Sequence, residues 1–184
     1  MARNSSGFRR EILEVASRLF AATGFKGTSL QDIAGEVGCS KAALLYHFDG
    51  KDAILTELLT PAAEALAELD VRLAGLDGDA AVVPAVEGFV DLVLRFRHEA
   101  KILYDNIPEM LRHPALADVL DISERLVDAL AGRSTDPEAH VAALMVLGAV
   151  PIVGTSPVRL SDDELRAVLI RRALRTLDHD PNHP

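Results

Sequence analysis

Residues 28–48 read TSLQDIAGEVGCSKAALLYHF. Leu30, Ile33, Ala34 and Val37 fall at helical spacing, so the first half is a short helix with one apolar face. Thr28 with Gln31 fits a capping box at its start. Gly38 ends it and tolerates the backbone angles a tight turn needs. Ser40 can cap a second helix, in which Leu44 and Phe48, spaced i, i+4, point inward. Asp49-Gly50 breaks that helix. Two short helices joined by Gly38-Cys39-Ser40 have the pattern of a helix-turn-helix, whose second helix enters the DNA major groove. Its N-terminus, with free amides and partial positive charge, suits phosphate.

Outward from this stretch the chain reads as helices throughout. Residues 1–7 form an arm. Phe8, Ile12, Val15, Ala16, Leu19 and Phe20 predict one amphipathic helix over 8–23, ended by Gly24 and Gly27. A long helix is expected over 51–73, then a loop at 74–79. Pro84 suits the first turn of a helix running to about 106, and Pro114 opens another to about 131. Asp136-Pro137 begins a strongly apolar segment, 141–153. Ser161 with Glu164 caps a last helix over 165–177. The expected fold is all-α, with a helix-turn-helix domain over 1–50 and a second helical domain over 51–184.

The chain has 184 residues, 49% of them apolar and 26% charged, which excludes disorder throughout. No apolar run is read as approaching a membrane span and no signal peptide opens the chain, so a soluble, cytoplasmic protein is expected. The net charge of −9 hides a split. Residues 1–51 hold seven Lys/Arg against five Asp/Glu, and residues 52–184 hold twelve against twenty-three. A polyanion would meet the basic head and not the acidic body. Arg3, Arg9 and Arg10 are either a solvated arm or phosphate and minor-groove contacts.

Residues 8–55 resemble the N-terminal domain of the TetR family of transcriptional regulators. The resemblance rests on Leu19-Phe20-Ala21-Ala22-Thr23-Gly24-Phe25, Thr28-Ser29-Leu30-Gln31-Asp32-Ile33-Ala34, Val37-Gly38-Cys39-Ser40-Lys41, His47-Phe48 and Lys51, about a quarter of the chain. It implies that Thr28 caps the first helix of the motif and contacts a phosphate. It also implies that Lys41, Ala42, Ala43 and Leu45 face base edges, that Tyr46 and His47 touch backbone or bases, and that Lys51 binds phosphate. Lys41 can donate to guanine, whereas Ala42, Ala43 and Leu45 can only meet a thymine methyl or fill space. The family usually has Gly or Pro, then Thr or Ser, then Leu-Tyr, where this chain has Ala42-Ala43-Leu44-Leu45. Leu45 thus replaces an aromatic, and DNA shape and operator symmetry are expected to carry much of the specificity.

For the second domain the resemblance implies effector binding and dimerisation. Candidate effector-site residues are Phe89, Val93, Phe96, Leu103, Tyr104, Met110 and Met145, with His98, Asn106 and His140 as polar handles. Ala143, Leu144, Leu147 and Val150, with Leu165, Val168, Leu169 and Ala173, are candidates for a two-fold interface of four helices. The single Cys39 allows no intrachain disulfide and no cysteine-based zinc site, and the six histidines have no metal spacing. HExxH, GxSxG and P-loop signatures are missing, so neither catalysis nor a cofactor is expected. The function expected is a homodimeric repressor released from a palindromic DNA operator by an apolar small molecule, with coupling through helix 51–73. The alternatives are an activator or ligand-independent regulator, or an enzyme or carrier that kept the motif.

Overall fold

The structure is a computed structural model that describes residues 5–105 and 116–179. Among these residues there are helices and no strands. They are α1 (Ser5–Gly27), α2 (Leu30–Val37), α3 (Lys41–His47), α4 (Lys51–Leu73), α5 (Asp79–Arg95), α6 (Arg97–Asp105), α7 (Ala117–Leu130), α8 (Pro137–Gly154) and α9 (Asp162–Thr176). Gly24 is non-helical inside α1, with φ 78° and ψ 159°, at the point where the sequence predicts that helix to end. Gly38 sits at φ 75° in the left-handed region and lets α2 stop within one residue.

Two apolar cores organise the chain. In the first, Ile12, Ala16 and Phe20 of α1 close against Ile33 and Ala34 of α2, Leu44 of α3, and Ile54 and Leu55 of α4, all fully buried. Each of the larger of these side chains contributes ~1.5–3 kcal/mol by leaving water. Ile102 of α6 and Leu116 join this core. In the second, Leu66, Leu69 and Leu73 of α4 meet α5, α7, α8 and α9. Helix α4 therefore serves both cores, its Ile54, Leu55 and Leu59 in the first and its second half in the second.

The expected helix 84–106 is two helices. It begins at Asp79, five residues before Pro84, and breaks at Phe96 (φ −115°, ψ 46°). Pro84 lies inside α5, because Gly78 at φ 54° turns the chain earlier. The last helix is capped as expected: the Ser161 side chain accepts from Glu164 N, and the Glu164 carboxylate accepts from Ser161 N at 2.8 Å.

Helix α8 corrects the expectation about apolar runs. Its 18 residues have a mean hydropathy of 1.5, long and apolar enough by composition to cross a membrane. Here it packs on α5, α6, α7 and α9. Gly154 allows its close approach to α5, since a Cβ there would lie 2.8 Å from Val93 Cγ1. Pro151 has no N–H for the Leu147 carbonyl, its partner one helical turn back. Tyr104 of α6 supplies the missing donor, its hydroxyl 2.8 Å from that oxygen. Burial pushes the Tyr104 hydroxyl pKa up to about 12. Nothing within 4 Å explains Gly148.

Candidate nucleic-acid interface

Helix α3 has only seven residues, too few to form on propensity alone. Ser40, in extended conformation, accepts from Ala43 N at 3.1 Å and fixes the N-terminus. Phe48 is extended and ends the helix, its N–H still donating to the Leu44 carbonyl. Leu44 and Phe48 are buried, as their spacing predicts. The opposite face is left outward. Lys41, Ala42, Leu45 and Tyr46 are exposed, Tyr46 at 86%, while Ala43 and His47 are half-buried. The His47 ring is held edge-on by Phe8 at 5.2 Å and by Tyr46 at 5.3 Å.

The cap expected at Thr28 is corrected, and Lys51 has partners within the chain. Thr28 does not cap α2. The cap is Ser29, which accepts from Asp32 N at 3.1 Å while Asp32 accepts from Ser29 N at 2.8 Å. Hydrogen bonding from the Ser29 side chain and from the Ser29 N–H holds the Asp32 carboxyl below its usual pKa. Thr28 is 2% exposed; its hydroxyl donates to the Gly24 carbonyl and bonds Thr23 Oγ1, which closes the kink at Gly24 and turns the side chain away from the surface. Lys51 does begin α4, but its ammonium donates to the carbonyls of Phe25 (2.6 Å) and Thr28 (2.8 Å) and sits 4.3 Å over the Phe25 ring. It ties the α1–α2 turn to α4.

The arginines divide in the same way. Arg3 lies outside the described residues. Arg10 is exposed beside Glu14, and Arg18 pairs with Glu36 at 2.7 Å. Arg9 turns back into the protein, onto Glu57 and the His47 carbonyl. No local pattern announces the Arg9–Glu57 pair, whose members are 48 residues apart.

Residues 12–58 match the family model described as "Bacterial regulatory proteins, tetR family". The HTH-type transcriptional repressor KstR2 of Rhodococcus jostii (strain RHA1) is 41% identical over 54 residues, which are 29% of this chain and 26% of that protein. The match thus spans about a quarter of that relative's length. A TetR-family transcriptional regulator from Bordetella parapertussis 12822 is 26% identical, with a TM-score of 0.70 over 90% of this chain and 93% of that one. Residues 12–58 are thus similar to the TetR family's N-terminal domain, and the whole chain shares the fold of TetR-family regulators. The fold also matches AibR, solved in complex with isovaleryl coenzyme A and operator DNA: TM-score 0.64, 22% identity, 90% of this chain and 97% of that one.

Among the described residues the effector-site candidates are spread over both cores and the surface. Phe89 and Val93 are buried in the second core. Phe96 stands at the α5–α6 break under Arg95, and Leu103 packs on the first core. Exposed His98 lines a groove of about 370 Å³ with Arg10, Leu13 and Leu58. Tyr104 is bound to α8, and His140 is half-buried near the start of α8. Met145 is 60% exposed on the outer face of α8. Asn106 and Met110 lie outside the described residues. Of the candidates, Met145 lines a cavity of about 410 Å³, with Asp79, Val82, Leu130, Leu177 and His179 among others.

The interface candidates are corrected in part. Ala143, Val150, Leu165, Leu169 and Ala173 are buried in the subunit's own core, because α8 and α9 pack on α5 and each other first. Leu144 is exposed, and Leu147 and Val168 are half-buried. The outward face adds Val141, Met145, Ile152 and Val153, and a groove of about 220 Å³ runs between α8 and α9 beside it.

Proposed function

We propose that this chain is a transcriptional repressor that binds a near-palindromic operator as a homodimer and leaves it when a largely apolar small molecule binds the C-terminal helices. The observation that carries this is the outward face of α3. Lys41, Ala42, Leu45 and Tyr46 stand free of the core while Leu44 holds the helix down, in the arrangement a major-groove reader requires. Lys41 is the guanine donor of that face, and Ala42, Ala43 and Leu45 are its apolar surface. Ser40 and His47 flank it for backbone contacts.

Repression is supported by the Rhodococcus jostii relative, which is named a repressor. Dimerisation is supported by the exposed apolar stripe of α8, which a four-helix packing with the partner's α8 and α9 would cover. Release by an effector is supported by the fold shared with AibR, a protein solved with an acyl coenzyme A and operator DNA. No catalytic step and no cofactor enter this function. A chromosomal operator is met in the cytoplasm.

The test is fluorescence anisotropy of the purified protein with DNA flanking its own gene, across a salt series. Sequence-selective binding by two protomers, with affinity falling as salt rises, is expected. A folded protein that binds no duplex at any salt would refute the proposal.

A further inference from the structure

Three elements meet at one side chain. Arg9 of α1 directs Nε to Glu57 Oε1 of α4 at 3.0 Å and Nη2 to Glu57 Oε2. Its Nη1 donates to the carbonyl of His47, the last residue of α3. The guanidinium lies 4.1 Å over the ring of Phe48. We propose that Arg9 and Glu57 form a clamp that sets the orientation of the recognition helix, with Arg9 a positioning residue of DNA binding and not a phosphate contact. This rests on the DNA-binding function proposed above.

The chemistry of a helix end explains why α3 needs such a clamp. The last carbonyls of a helix lack helical donors and carry partial negative charge. An arginine there supplies a donor and a positive charge together. The N-terminus of α3 is fixed by Ser40, and Leu44 pins its middle. Buried Phe48 follows as the C-cap, but apolar contact alone gives the last carbonyls of α3 no fixed direction. Arg9 fixes the far end and refers it to α4 through Glu57.

The fork geometry matters. Each of the three guanidinium nitrogens already donates within the protein, and one face covers Phe48. A lysine would keep the charge but could not span carboxylate and carbonyl in one plane. The residue that a solvated-arm or phosphate assignment would aim at solvent is thus turned inward.

Glu57 makes the proposal falsifiable. Removing a carboxylate near the DNA face should by itself strengthen binding to any duplex. A clamp requires the opposite for the specific site. The experiment uses the full chain, a duplex that the unmodified protein selects from a random-sequence pool, and an unrelated duplex of the same length. Glu57→Gln and Arg9→Lys are expected to weaken the selected duplex about tenfold, the scale of one lost base contact, with the unrelated duplex held or tightened and the salt slope unchanged. Hydrogen exchange without DNA provides a second readout. The amides of 44–48 should exchange faster in both variants, with those of α2 and the thermal midpoint unaffected. Equal or tighter binding of the selected duplex by Glu57→Gln, a salt slope lowered by about one in an Arg9→Ala variant that leaves selectivity intact, or unchanged exchange at 44–48, would each overturn the clamp. If the unmodified protein selects no duplex, the DNA-binding function fails, and the exchange measurement still decides whether Arg9 and Glu57 hold α3.

Discussion

Replacing Tyr104 by Phe removes one oxygen and leaves the ring. The Leu147 carbonyl then loses the donor that stands in for the N–H Pro151 does not have. A buried acceptor left without a partner costs about 1–3 kcal/mol. The same substitution should cost much less in a Pro151→Ala background, because an alanine at that position would restore the helical N–H to that carbonyl. There only the net worth of one hydrogen bond is lost, about 0.5–1.5 kcal/mol. The double-mutant cycle should therefore report a coupling of about 1 kcal/mol between residues on different helices. The assay is urea unfolding followed by circular dichroism, at one fixed protein concentration so that any dimer contributes equally. The four proteins should share one denaturant slope. An equal cost for Tyr104→Phe in both backgrounds, within about 0.5 kcal/mol, would refute the reasoning. The tyrosine would then be packing in place and not completing α8.

Ser40→Ala should destabilise by about 1 kcal/mol through loss of the α3 cap and weaken the selected duplex, measured by urea unfolding and anisotropy. Lys51→Met should lower stability by about 1–2 kcal/mol, since two carbonyls lose a charged donor at a partly exposed site, and leave the salt slope of DNA binding unchanged. A slope reduced by about one would return Lys51 to phosphate. Ile152→Asp, at an exposed position of α8, should convert a dimer to a folded monomer in analytical ultracentrifugation; a dimer that survives would move the interface off this face. Pro61→Ala should raise stability by about 1 kcal/mol or more in urea unfolding, because the exposed ring contributes little packing and an N–H is restored inside α4.

What was legible in the sequence was what local chemistry decides. Gly38, the Ser40 cap, the inward pair Leu44 and Phe48, the start of α4 and the Ser161–Glu164 box all depend on neighbours within four residues. Local rules also leave ties. Thr28–Gln31 and Ser29–Asp32 offer two overlapping cap registers, and the tie is broken by the Thr23 hydroxyl and the Gly24 carbonyl, which draw Thr28 inward. The break at Phe96 has no Gly or Pro to announce it. Helix α8 is apolar on every side, so its periodicity could not say that Ala143 and Val150 face the core while Val141 and Met145 face out. The Arg9–Glu57 and Tyr104–Leu147 contacts join residues far apart in sequence, and only the packed fold creates them.

Helix α7 touches both cores through Val119, and α4 and α6 link them in two further ways. Helix α4 is continuous, with Pro61 between the residues that fill the first core and those that fill the second. A helix missing one interior hydrogen bond bends there at least cost. Helix α6 is short and fastened at several points. Ile102 is fully buried in the first core, Tyr104 is bonded to α8, and Arg97 reaches Asp162 at the start of α9 at 2.8 Å. Any state in which α8 and α9 shift relative to the DNA-binding core must therefore either carry α6 along or break the Tyr104 bond. Breaking it costs about 1–3 kcal/mol, the range of a typical allosteric coupling free energy. An effector acting on the C-terminal helices can change DNA affinity only by the difference in its affinity for two such states. In the proposed function the Tyr104–Leu147 bond is of the size that would separate two such states, and Pro61 would give α4 its point of easiest bending one turn after Glu57.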